Sequence, residues 1–180
     1  MEKENDKKPL EYIPLMLCDV RCCSATSCPA IYEVFNKSLQ FRTMILHGRV
    51  VGKRAPNKWS SCYRFEIDDC TAVLPLIIWQ RDDVAEIQRL QSEVRARKLA
   101  DKRNDILGAL QRMLDKTKNQ LDPSSISIGN KLFIFGRPDI FCNQLSIYSF
   151  IWDIDEGYDR SMELSFKDEL LEWYLKRYPV

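Results

Sequence analysis

Three sets of side chains in this sequence have types and spacings that could carry chemistry. The first pairs cations with aromatic rings: Lys53, Arg54, Lys58 and Trp59 in one stretch, then Arg64, Trp79 and Arg81, then Arg137 and Phe141. Rings on which bases stack and cations that follow phosphates are the two ingredients of single-strand nucleic-acid binding, each stacked base contributing roughly 1–3 kcal/mol. Each ring also has a plainer role. Trp59 and Phe141 either meet a base or fold onto the rim of the domain, and Trp79, closing an apolar run, reads as core before platform.

The second set is Cys18, Cys22, Cys23 and Cys28. Structural zinc usually takes two separated pairs of closely spaced cysteines. Only Cys23 and Cys28 approach such a pair, so buried free thiols are expected and neither a metal nor another cofactor is implied. The third set is catalytic, and thin. The single histidine, His47, lies mid-strand. Asp68 and Asp69 are adjacent, and successive strand residues point to opposite faces. There is no phosphate-cradling glycine loop and no Gly-x-Ser-x-Gly elbow. The expected function is not enzymatic.

Composition narrows the partners. The 27 Lys and Arg nearly cancel the 26 Asp and Glu, whereas a strongly basic nucleic-acid binder shows a clear excess. Any DNA affinity must therefore come from local patches. One such patch is Arg95, Arg97, Lys98, Lys102 and Arg103, which reads either as a phosphate track or as a solvated helix face. No apolar run approaches eighteen residues, so a membrane-spanning helix is excluded. Seven irregularly spaced cysteines fit reduced thiols in the cytosol or nucleus. Residues 1–11 are mostly charged and read as a disordered tail without a signal-peptide core. The remaining 12–180 make one domain.

These side chains need elements to hold them. Leu15, Met16 and Leu17 suggest a short edge strand, and Cys22 to Pro29 a loop. Phe41 to Lys53 is the first strong strand, with Met44, Leu46 and Val50 on one face and a bulge or bend expected at Gly48. Ser60 to Asp68 alternates Tyr63, Phe65 and Ile67 with polar neighbours, a period of two. After the turn Asp68-Asp69-Cys70-Thr71, Ala72 to Gln80 completes a meander. Val84, Ile87, Leu90 and Val94, then Ile106, Leu107, Leu110, Met113 and Leu114, recur at helical spacing, as one long helix or two. Ile126 to Gly136 and Gln144 to Asp153 return to strand patterning around a turn at Pro138 to Asn143. In the last strand Leu145, Ile147 and Ile151 oppose Tyr148, Phe150 and Trp152. Ser165 to Tyr178 reads as a helix opened by a capping box at Ser165 and Asp168.

Three strands, a helical interval and two strands is the order of a five-stranded OB-fold barrel with a long helical insertion between strands three and four and a C-terminal helix. Such barrels bind single strands across strands two and three, between the first and last inter-strand loops, which is where the cation and aromatic set falls.

The stretches Gly48-Arg49-Val50-Val51-Gly52, Asp68-Asp69-Cys70-Thr71-Ala72, Trp79, and Ile128-Gly129-Asn130 with Phe133 and Gly136 resemble the OB-fold middle subunit shared by the CST telomere-capping complex and replication protein A. The resemblance covers roughly two-thirds of the chain, and the long interval after Trp79 is closer to the CST subunit. Cys70 and Ala72 depart from the family turn, where Asp69 would take the left-handed conformation. The resemblance implies a nuclear protein at chromosome ends that binds single-stranded DNA and assembles with other telomere-capping proteins. It also implies a heterodimer with a smaller OB-fold partner through the last helix, where Phe166, Leu170, Trp173, Tyr174 and Tyr178 match that role. A protein-only scaffold and a replication or repair subunit are the alternatives.

Overall fold

The computed structural model describes residues 8–54, 56, 61–81, 83–100, 105–142, 144–155, 157 and 161–177. In chain order its elements are β1 (Ile13–Pro14), α1 (Leu17–Arg21), β2 (Ser24–Ala25), β3 (Tyr32–Val34), β4 (Leu39–Phe41), β5 (Met44–Arg54), β6 (Cys62–Asp68) and β7 (Val73–Trp79). There follow α2 (Asp83–Ala100), α3 (Asp105–Leu121), a 3-10 turn at Pro123–Ser125, β8 (Lys131–Phe141), β9 (Gln144–Asp155) and α4 (Ser161–Arg177).

Alternation drives the barrel. Along β6 the inward residues Phe65 and Ile67 are buried while Arg64 and Glu66 face water, and along β7 Leu74, Leu76 and Ile78 are buried against exposed Val73, Pro75 and Trp79. Each fully buried side chain of this size stabilises the fold by roughly 1.5–3 kcal/mol. β5, β6 and β7 form the expected antiparallel meander, β7 pairs parallel with β9, β9 antiparallel with β8, and β8 closes antiparallel onto β5. That is the OB-fold order. β1 adds to β5 in parallel, and β2, β3 and β4 form a separate small sheet.

Several local expectations need correcting. Leu10 already exchanges backbone bonds with Gln40 and Arg42, so the tail read over residues 1–11 stops short of it. Leu17 opens a helix and not an edge strand, because the Asp69 carboxylate accepts its backbone N–H at 2.8 Å and caps the turn. The irregularity in β5 falls between Val50 and Gly52, not at Gly48. The left-handed residue of the β6–β7 turn is Cys70, at φ 72°, since Asp69 is held by bonds to Thr71 and Ala72. β8 runs on to Phe141, so the turn expected at 138–143 shrinks to the hairpin tip.

The largest surprise lies in β9. A register shift opposite Phe135 and Gly136 makes Phe150 an extra residue, and beyond it the faces exchange. Trp152 turns inward and is buried, while Ile151 faces solvent. Gly136 permits this, because a Cβ there would lie 2.2 Å from the Tyr148 carbonyl oxygen. Bulges of this kind insert one residue and re-aim its side chain.

α4 starts at Ser161, four residues before the capping box read at Ser165, and Ser165 lies inside it. Its inner face carries Phe166, Leu170, Trp173 and Tyr174. Phe166 is buried, with ring centroids 6.0 Å from both His47 and Phe133. Trp173 packs on the core. The Tyr174 hydroxyl bonds Asp19, and burial foremost, then that bond, pushes its pKa far up. Glu163 receives Lys131 at 2.5 Å and Lys167 at 2.6 Å, and these bonds hold its carboxyl down at about 2.

His47 sits under this helix, with Nε2 3.1 Å from Asp155 Oδ2. Burial lowers its pKa, and the Asp155 bond only partly opposes that. The folded state therefore binds this proton less readily than the unfolded chain. Its contribution is complete above the unfolded value near 6.5 and is lost as pH falls through the lower folded value. We expect the melting temperature to drop between pH 7.5 and pH 5.5, and a His47→Gln chain to lose most of that slope. Glu163 titrates far below this window, so an unchanged slope in the variant would refute the assignment.

Candidate nucleic-acid interface

The end of β5, the middle of β6, the strand β7, the tip of the β8–β9 hairpin and the segment before β8 enclose an open cleft of about 740 Å³. Four of the residues singled out in the sequence line it: Lys53, Arg54, Arg64 and Phe141. Ile128, Gln144 and Ser146 join them, along with the carboxylates Glu66 and Asp139. Phe141 stands at the hairpin tip, 75% exposed, next to Cys142 at φ 50°. So large a ring held in water on a tight turn is the strongest stacking candidate among the described residues.

Arg54 and Arg64 are direct register partners across β5 and β6, and both are exposed. Like charges directly opposite one another in a ladder are destabilising. An anion seated over the pair would relieve that repulsion, and neither guanidinium forms a salt bridge among the described residues. Lys53 is placed differently. It lies on the inward row beside Phe65, its ammonium 6.0 Å from that ring, and bonds the carbonyls of Ser124 at 2.8 Å and Ile126 at 2.5 Å. It ties the barrel end to the 3-10 turn, so most of its donors are already used.

The other candidates spread out. Trp79 is 49% exposed on the outward row of β7, contrary to the core reading, because the inward row of the strand is Leu74, Leu76 and Ile78 and the next residue points to the other face. Arg81 is paired with Asp83 at 2.7 Å. Arg137 is not in the last loop. It lies within β8, four residues before the tip, with its guanidinium 5.6 Å from the Tyr148 ring centre. Lys58, Trp59 and Tyr178 lie outside the described residues, as do Lys102 and Arg103 of the basic run. Of the four cysteines expected as buried thiols, Cys22 and Cys28 are exposed; Cys23, packed on the core, has its thiol pushed up to about 12 by burial, and no group of three or more metal-ligating side chains occurs among the described residues.

The last helix also differs from the expectation. Phe166 is buried and Leu170, Trp173 and Tyr174 are half-buried, on the side of the helix turned onto this chain's own barrel. The opposite side of α4 carries Leu164, Leu171 and Leu175, 56%, 59% and 52% exposed, at spacings of seven and four. These positions share one helical stripe. Leu171 and Leu175 lie within the helix expected from Ser165 to Tyr178, and Leu164 lies one residue before its expected start.

A closed five-stranded barrel with this pairing, a helical insertion after the third barrel strand and a helix after the last defines an OB-fold protein. The sequence model of the telomere-capping protein Verrocchio matches residues 7–174, and the chain belongs to that family. It is 32% identical over 136 residues to protein verrocchio of Drosophila melanogaster, an alignment covering 75% of this chain and 63% of that protein. The chain thus spans less than two-thirds of the length of this relative. Among solved structures, it is similar in fold to the Stn1–Ten1 complex of S. pombe, with a TM-score of 0.60, 15% identity and 93% of each chain covered. It is also similar to a replication protein A heterotrimer bound to single-stranded DNA, with a TM-score of 0.57, 13% identity and coverage of 92% and 96%. Yeast Stn1 and Ten1 give a TM-score of 0.56 at 13% identity, covering 90% of this chain and 71% of that one.

Proposed function

We propose that this chain is a non-enzymatic OB-fold subunit of a telomere-capping complex, acting at chromosome ends in the nucleus, that binds single-stranded DNA in the cleft. The observation that carries the reading is the opposed pair Arg54 and Arg64 beside the exposed ring of Phe141. Two cations set to share a phosphate next to a free aromatic face is the chemistry of a single strand. Affinity depends on few phosphates, so it falls with salt at a slope of about −0.7 per contact. Fluorescence anisotropy with a labelled oligonucleotide across a salt series tests it. Binding that ignores salt would overturn the reading.

The chain pairs with a smaller OB-fold partner through α4, using Leu164, Leu171 and Leu175. Membership of the Verrocchio family and the fold shared with the Stn1–Ten1 structures support this. Leu171→Glu with Leu175→Glu is expected to leave the melting temperature within a few degrees and to abolish co-purification with the partner. Retention of the complex would exclude this stripe. Other telomere-capping proteins would join the assembly through this heterodimer.

A second reading, in which the chain binds only protein and the partner contacts DNA, draws on Glu66 and Asp139 in the cleft and on the near-balanced total charge. A complex that assembles and binds DNA unchanged when this chain carries Arg64→Glu with Phe141→Ala would select it.

A further inference from the structure

We propose that the strand held in the cleft continues onto a second stacking shelf made by Trp79, Tyr148 and Phe150, with Arg137 beside the rings. This rests on reading the cleft as a single-strand site, and it extends that site by several nucleotides.

Three outward rows run from the cleft to the shelf. On β7 they are Pro75, Ile77 and then Trp79. On β9 they are Gln144, Ser146 and then Tyr148 and Phe150. On β8 they are Phe141, Asp139 and then Arg137. The rows stay in step, because Phe141 pairs with Gln144, Asp139 with Ser146, Arg137 with Tyr148, and Tyr148 also with Ile77. The first members of each row line the cleft. The last members are aromatic on β7 and β9, and on β8 the last is Arg137.

The shelf is open and charged. Trp79 and Phe150 are 49% and 44% exposed. Phe150 is the residue the β9 bulge inserts, so a local departure from regular pairing, made possible by Gly136, is what aims this ring outward. Tyr148 and Phe150 meet edge to face with centroids 5.4 Å apart. The Arg137 guanidinium lies 5.6 Å and 5.8 Å from their centres and forms no salt bridge among the described residues. An apolar protein surface would leave that cation buried and unneutralised. A nucleic-acid strand supplies a base for the rings and a phosphate for the arginine together. From Gln144 to Phe150 the row extends about 20 Å at roughly 3.3 Å per residue, room for more than one nucleotide and within OB-fold site sizes.

The test compares oligothymidines of about four and about ten nucleotides, the low end of OB-fold footprints and beyond, on the full chain with its partner where the partner is needed for solubility. Trp79→Ala and Phe150→Leu are each expected to weaken binding of the long strand on the order of tenfold and to leave the short strand unchanged. Arg64→Glu weakens both. Variants that bind the long strand as the parent does would overturn the shelf and leave the cleft standing, as would variants that lose both strands equally. A parent chain that binds neither strand removes the cleft and the shelf together. Photo-cross-linking of the unsubstituted chain to a 5-iodouracil strand gives a readout free of folding defects. Adducts on Trp79, Tyr148 or Phe150 are expected, and their absence, with adducts confined to Phe141, would overturn the proposal.

Discussion

Replacing Phe166 by alanine is expected to lower unfolding free energy by about 3–5 kcal/mol, the range for emptying a buried phenylalanine site. The ring is the anchor of α4: it is buried, packs on Phe133 and stands over the His47–Asp155 pair. Its removal opens a cavity and admits water to a paired group that burial protects. Leu171→Ala, on the same helix but facing water, should fall within about 0.5 kcal/mol of the parent, as surface changes usually do. Urea denaturation of the two chains measures both values. Equal effects would mean that α4 is not seated by this face.

The second large effect concerns binding. Arg64→Glu combined with Phe141→Ala removes one stacked base, worth roughly 1–3 kcal/mol, and turns an attractive phosphate contact into a repulsive one. Together these reach about 3 kcal/mol, a loss of more than a hundredfold at about 1.4 kcal/mol per tenfold. The slope of log affinity against log salt should shrink by about 0.7 for the lost contact. Because both side chains are exposed and neither packs in the core, the melting temperature should hold. Anisotropy titrations at two salt concentrations read both quantities. An unchanged affinity would remove the cleft from the binding surface.

The barrel was legible in the sequence because its strands alternate cleanly. Tyr63, Phe65 and Ile67 against Arg64 and Glu66 leave one way to place β6, and the change of period after Trp79 locates the helical insertion. Where both neighbours are apolar, the code goes silent. Ile151 and Trp152 are equally hydrophobic, so nothing in their types reports that a one-residue bulge sends the first outward and the second inward. α4 has the same ambiguity on a larger scale. Periodicity finds an apolar stripe, but this helix has two, and only packing decides that Phe166 and Trp173 go in while Leu164, Leu171 and Leu175 stay out. Of the cleft, the residue types were readable and the arrangement was not. That Arg54 faces Arg64 follows from the shift between Val50 and Gly52, and that Lys53 turns to the 3-10 turn follows from the barrel end it caps. Neither leaves a trace in spacing.

The carboxylate of Asp69 accepts from the backbone of Leu17, Thr71 and Ala72 at once, while Leu15, Leu17 and Val20 are almost wholly enclosed. The five-strand barrel is therefore not an autonomous folding unit here. Cutting the chain just ahead of Met44 would take the Leu17 donor from that carboxylate, leaving it only the turn's own bonds, and expose a patch of greasy core, and the product should aggregate. Any excised version made for crystallisation or spectroscopy has to begin upstream of Leu10.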